Sequence, residues 1–418
     1  MLEASARRAV EAIWRIESAR IVATLTRYTG DFALAEDLAQ EALAEALLGW
    51  PAHGVPANPG AWLVAVGKRR AIDGWRRAAK QDEKYAQLAH ERELAETGAR
   101  ADAPWDPDVI DDDVLRLVFI ACHPVLSREA SIALTLRTVG GLGTEQIARA
   151  FLVPVATVQQ RIVRAKKTLA AAAVPFEVPP RDEYPERLSA VLSVLYLIFN
   201  EGYAAASGSE WMRVDLAREA LRLARVLAEL VPRDSEAHGL AALMEFLVAR
   251  FPARIDRQGN PILLADQDRA RWDRALIARG RAALARADAL GRGRGPYGLQ
   301  AAIAECHDVA PSVDQTDWGR IVVLYEALGR VAPSPVVELN RAVAVAMAEG
   351  PATALRIVDE LVTGGRLAGY APLPGVRAEL LARLGRSDEA RAEFAHAIAL
   401  TGNDRERAVL EGKLRALR

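Results

Sequence analysis

An all-α fold is predicted by three features of the 418-residue sequence: abundant alanine, leucine, arginine and glutamate, apolar residues recurring at helical spacing, and few aromatic residues. Hydrophobic residues reach 51% and aromatic ones only 6%, so the cores are expected to form by close approach of alanine-rich helices rather than by sheets. The length exceeds what one hydrophobic core usually holds. Two or three domains are therefore expected, and the elements and motifs below divide them into two small helical domains, the second with a helix-turn-helix, followed by a large domain of helical hairpins.

Taken in order, residues 7–49 read as helix with a break at Gly30 and Asp31, where Asp31 suits a helix cap. Residues 50–60 hold several prolines and glycines and read as a turn. A helix then starts near Pro59, since proline suits a first turn, and runs through Trp62, Val66, Arg70 and Asp73 toward Arg77. Residues 80–96 are charged and helix-compatible, and residues 97–107 read as linker. Helices are expected at 111–122 and 127–138, with Gly140 and Gly141 breaking the pattern before a helix opening at Thr144. After Pro154, Val158, Ile162, Ala165 and Leu169 form one narrow packing face, with Ala156, Gln160, Val163, Arg164 and Lys167 broadly opposite and Arg161 at a flank. Prolines at 175, 179 and 180 mark a joint. Beyond it helices are expected at 186–200, 214–231, 235–250, 267–289, 298–307, 316–329, 335–348, 351–362, 373–384 and 387–400. Ala378, Leu381, Leu384, Gly385, Ala390, Phe394 and Ala397 carry the small-large alternation of a tetratricopeptide hairpin. The resulting domains are 1–96, an acidic linker at 97–110, 111–174, a proline-rich joint at 175–185, and 186–418.

A net charge of −1 excludes a general polycation, yet the signs are unevenly placed. Residues 68–77 hold five basic side chains and one acidic one, whereas residues 101–113 hold six aspartates and no base. Charges recurring from Glu3 to Arg20 argue against a secretory or membrane-spanning segment. Cys122 and Cys306, the only cysteines, fit a cytoplasmic chain, and the scattered histidines lack zinc-module spacing. No metal, cofactor or catalytic set is expected, and so no enzyme.

The segment TEQIARAFLVPVATVQQRIVRAKKTL, 144–169, sets a helix, a short turn and a cationic helix in succession, the requirement for placing side chains in a major groove. Arg161, Arg164, Lys166 and Lys167 are candidates for phosphate contacts. Gln159, Gln160 and Arg161 are candidates for base edges, because amides and guanidinium groups make paired hydrogen bonds. The bland reading is a helical hairpin with solvated arginines. A second basic segment weakens it: Lys68, Arg69, Arg70, Arg76 and Arg77, interleaved with Trp62 and Trp75.

On these motifs, residues 7–175 resemble the two conserved domains of an extracytoplasmic-function sigma factor. The whole chain, including FNEGY at 199–203, LLADQDRARWDR at 263–274 and the hairpins at 335–400, resembles the subgroup with a large C-terminal tetratricopeptide-like extension. The resemblance implies that residues 31–50 grip core RNA polymerase, with Asp37, Gln40 and Glu41 as contacts. It implies that residues 59–77 recognise the opened −10 promoter element through Lys68, Arg69, Arg76, Arg77 and Trp75. The −35 element would be read by Gln159, Gln160, Arg161, Arg164, Lys166 and Lys167. Many relatives carry a lysine-serine-arginine run where this chain has Gln159 and Gln160, which shifts promoter preference.

Phe199, Asn200, Glu201 and Tyr203, with Trp272, are candidate interdomain residues; the charged string 266–274 and the acids Glu305, Asp308, Asp314 and Asp317 around His307 read as surface pairing. The implied partners are core RNA polymerase and promoter DNA, with a regulatory protein or an intramolecular contact for the extension, and no membrane. Two other classes remain open: a non-sigma helix-turn-helix regulator with a ligand-responsive helical domain, and a helical scaffold.

Overall fold

The computed structural model describes residues 2–78, 107–151, 153–172, 174–177, 179–180, 182–204, 212–257 and 260–417. The helix-compatible segment 80–96, nearly all of the expected linker and parts of the joint lie outside the described residues. The chain divides into two compact units, Met1–Val194 and Leu195–Arg418. Both are helical.

In the first unit, α1 (Leu2–Thr29), α2 (Phe32–His53) and α3 (Pro59–Ala78) pack on one another, and α1 also packs on α4 (Pro107–Ala121). Asp31 caps α2 as expected, its carboxylate accepting from the amides of Ala33 at 2.8 Å and Leu34 at 3.0 Å. One boundary differs: α2 continues through Pro51 to His53 although the proline gives up one backbone hydrogen bond, and the chain leaves the helix only at Gly54 with φ +85°, whose amide bonds to the Trp50 carbonyl. Next come α5 (Arg128–Thr138), α6 (Thr144–Phe151) and α7 (Val155–Ala171), with α5 and α6 both packed on α7. The residues that α7 buries are Val158, Ile162, Ala165 and Leu169, the face read from spacing.

The helix α8 (Tyr184–Tyr203) contains the division between units. In the second unit follow α9 (Val214–Leu230), α10 (Ser235–Ala249), α11 (Arg274–Ala289), α12 (Pro296–Val309), α13 (Trp318–Val331), α14 (Pro335–Ala348), α15 (Pro351–Thr363), α16 (Pro372–Arg383), α17 (Ser387–Leu400) and α18 (Asp404–Ala416). From α9 to α18 each helix packs on the next, and α14 also reaches α16. Glycine allows a close crossing where a β-carbon on Gly239 of α10 would stand 2.7 Å from the backbone nitrogen of Gly298 in α12.

Two expectations change here. The helix expected at 267–289 begins only at Arg274, because Asp273 caps it and Asp268 caps a preceding 3-10 turn. The string 266–274 is only partly at the surface: Asp266, Asp268, Arg271, Asp273 and Arg274 are exposed, but Trp272 is 2% exposed and Arg269 8% exposed. The charged helix α18 was not anticipated. Its amphipathic signal is diluted by charge, and Asn403 caps it through the amides of Arg405 and Glu406.

Candidate functional site

Three polar surfaces arise in the first unit, each set by which helical face the core claims. On α2, Ala35, Leu38, Ala39, Ala42 and Ala46 are buried, which turns Asp37 and Glu41 outward and leaves Gln40 half-buried. On α3, Leu63, Val64, Val66, Ala71 and Ile72 are buried, so Arg69, Arg76 and Arg77 are exposed and Lys68 is half-buried. Trp75 is 6% exposed and stacks on Tyr28 with ring centroids 5.7 Å apart. The Lys68 ammonium lies 5.1 Å from the same Tyr28 ring. Trp75 thus holds up the cationic ridge from beneath and presents no open face. Trp62 meets Trp50 edge-on at 5.4 Å. Arg70 is tied to α2 by Glu45 at 3.0 Å.

On α7 the outward residues are Gln159, Gln160, Arg164 and Lys167, while Arg161 is half-buried. Lys166 behaves differently. Its ammonium donates to Glu36 at 2.5 Å and to Asp37 at 2.8 Å, and Glu36 accepts a second bond from Arg137 of α5 at 3.1 Å. Glu36 is 4% exposed, so one buried carboxylate joins α2, α5 and α7. Burial disfavours the Lys166 cation, but Glu36 and Asp37 outweigh it and raise its pKa above the ordinary lysine value.

Sequence reasoning singled out Lys166 and Asp37 for different surfaces and did not single out Glu36 or Arg137. A signal was present. Glu36 stands on α2 between Ala35 and Leu38, among residues that helical spacing assigns to the core, and a carboxylate there requires a buried cation.

In the second unit, Phe199 is fully buried and stacks on Tyr203 at 5.7 Å, and Glu201 pairs with Arg213. The guanidinium of Arg254 covers the Tyr203 ring at 3.5 Å and donates to the Tyr203 carbonyl at 2.7 Å. The guanidinium groups of Arg250 and Arg269 both lie over the Trp272 ring, at 5.4 and 5.0 Å. Asp308, expected at the surface, is 1% exposed and accepts from Arg250 at 2.6 Å. Burial pushes its carboxyl up to about 6 against the pull of Arg250.

Among the described residues no group of three histidine, cysteine or acidic side chains could hold a metal ion, and no described helix is long and apolar enough to cross a membrane. Both thiols are interior, and burial pushes Cys122 up to about 12 despite its contact with Thr135. Neither Cys122 nor Cys306 is expected to react with a colorimetric disulfide reagent before unfolding. Rapid release of one chromophore equivalent from native protein would show that a thiol is accessible.

Comparison with known proteins defines the class first. Residues 14–81 match the sigma-70 region 2 family and residues 116–169 the sigma-70 region 4 family. The first unit therefore contains a sigma-70-like core of the extracytoplasmic-function type, and its function is the non-catalytic one of transcription initiation. The chain is 46% identical over 398 residues to an uncharacterised protein of Rhizobium meliloti strain 1021, covering 93% of this chain and 91% of that one, and it belongs to that protein's family. A probable ECF RNA polymerase sigma factor, SigI, of Mycobacterium tuberculosis is 28% identical over 171 residues. That match covers 41% of this chain and 58% of SigI. Residues 187–288 match a family of unknown function, DUF6596, and no solved structure matches.

Proposed function

We propose that this chain binds core RNA polymerase, recognises −35 and −10 promoter elements and promotes strand opening. The observation that carries the reading is the division of α7: four apolar residues at 158, 162, 165 and 169 face inward, while Gln159, Gln160, Arg164 and Lys167 stand outward. In this reading α6 and α7 form a helix-turn-helix, and α7 enters the major groove at the −35 element. Lys68, Arg69, Arg76 and Arg77 hold backbone at the −10 element above Trp75, and Asp37, Gln40 and Glu41 engage polymerase. Polymerase holds both DNA-binding surfaces on one template, which raises the effective concentration of each for its element.

Lys166 and Asp37 belong to different proposed surfaces and neutralise one another in this structure. Binding polymerase and DNA would exchange that ion pair for contacts with the partners. The second unit, with its consecutive helical pairs and its α14 to α16 contact, is proposed as the tetratricopeptide-like extension through which a regulatory protein or the chain itself acts. The proposed site of action is the cytoplasm.

Transcription reconstituted with core polymerase, the full chain and a randomised promoter library tests this. Defined −35 and −10 sequences with core-dependent transcripts are expected; selective duplex binding without core-dependent transcripts would favour the regulator instead. Gln159→Ala or Gln160→Ala is expected to relax preference at one −35 position, a discrimination of about 1–3 kcal/mol. Arg164→Ala and Lys167→Ala should weaken binding alike on all sequences and lower the salt slope by about one each.

A further inference from the structure

The second unit holds an open cavity of about 300 Å³ between α12, α13, α14 and the 3-10 turn at Leu264–Asp266. Its walls are mostly apolar or aromatic, including Trp318, Ile321, Val343 and Met347, and Arg269, His307 and Asn340 line it too. Val343 and Met347 are 40% and 39% exposed, so the mouth is open to solvent.

The charge balance beneath this cavity is incomplete. Arg250 and Arg269 are 4% and 8% exposed, and the acid facing them is Asp308, which bonds to Arg250 at 2.6 Å. Arg269 has neutral acceptors instead. One terminal nitrogen donates to the carbonyls of His307 at 2.6 Å and Ala310 at 2.7 Å, and the other to the Thr316 hydroxyl at 3.4 Å. A guanidinium has five N–H groups, so donors remain on Nε and Nη2, adjacent nitrogens spaced to meet the two oxygens of one carboxylate. A buried cation without its own counter-ion is costly, and an anion in the cavity would relieve that cost.

His307 favours the same occupant. His307 has an unpartnered buried Nδ1, and burial together with the two guanidinium groups pushes its pKa down to about 3, so it is a neutral ring. It meets Trp318 edge-on at 5.1 Å, which fixes its plane. A neutral imidazole gives a carboxylate a hydrogen bond and adds no charge. Inorganic phosphate would leave the Trp318, Val343 and Met347 walls in contact with water. A flat apolar body covers them.

We infer that this cavity binds a small aromatic carboxylate, its oxygens at Arg269 and its ring against Trp318, Val343 and Met347. The cavity lies wholly within the second unit, so the inference stands or falls apart from the promoter-recognition reading.

The test is isothermal titration and saturation-transfer NMR on the full chain with benzoate, phenylacetate and indole-3-acetate up to about 1 mM. Benzamide and inorganic phosphate are the controls. The carboxylates should bind saturably and at least about tenfold more tightly than benzamide. Met347→Trp, which fills the mouth from an exposed position, should abolish binding without lowering the melting temperature. Arg269→Gln should weaken the carboxylates and leave benzamide unchanged; if that variant unfolds, Met347→Trp still decides. No saturable carboxylate binding, equal binding of benzamide, phosphate binding as tightly as phenylacetate, or binding that survives Met347→Trp would each overturn the inference.

Discussion

Glu36→Ala should destabilise the first unit by about 3 kcal/mol, because it strips Arg137 of its carboxylate and leaves Lys166 with Asp37 alone. Arg137 and Lys166 have side chains 18% and 13% exposed, so water does little to replace the lost partner. Glu36→Gln should cost less, since the amide oxygen still accepts a hydrogen bond. Lys166→Met should cost least, under about 1 kcal/mol, because Arg137 stays on Glu36 and methionine keeps most of the apolar stem. Urea midpoints followed by circular dichroism give this order. Equal losses for Glu36→Ala and Lys166→Met would mean that Arg137 contributes nothing to the joint. Under the proposed function, Lys166→Met also frees Asp37. Its affinity for core polymerase should rise in a fluorescence titration while its affinity for −35 DNA falls.

The second large effect is expected at Gly202, in the last turn of α8. A β-carbon there would stand 2.4 Å from the backbone nitrogen of Ala217 and 2.8 Å from its α-carbon. Main chain cannot swing aside as a side chain can, so Gly202→Ala must push α8 and α9 apart. That strains the Arg213 amide bond to the Gly202 carbonyl, now 2.8 Å, and the neighbouring Glu201–Arg213 ion pair. A loss of about 3 kcal/mol in the second unit is expected, visible as a lower urea midpoint. Gly412→Ala is the matched control. Its β-carbon would meet nothing within 4 Å, and as a helix-interior site it should gain up to about 1 kcal/mol. If both substitutions leave the midpoint unchanged, the close crossing of α8 and α9 is wrong.

FNEGY, whose residues sequence reasoning named as interdomain candidates, has a concrete structural use in this crossing. Glycine admits α9, Glu201 binds Arg213, and Tyr203 is covered by Arg254. The same residues read along the chain show an amide, a carboxylate and a phenol in a row and do not reveal which side each one takes.

The sequence by itself determined the helical class, the Asp31 cap, the inward face of α7 and the sigma-type pattern of the front half. These are local properties: a 3.6-residue period or a cap is written within a dozen residues, and nothing distant is needed to read it. Tertiary structure alone decided the partners of the buried charges. Lys166 meets Glu36 across 130 positions, Arg250 meets Asp308 across 58, and Arg269 leaves an apparently solvated string to line a cavity. Charge along a chain records sign and spacing but not burial. Whether an arginine dissolves in water or must find a counter-ion depends on which helix folds over it.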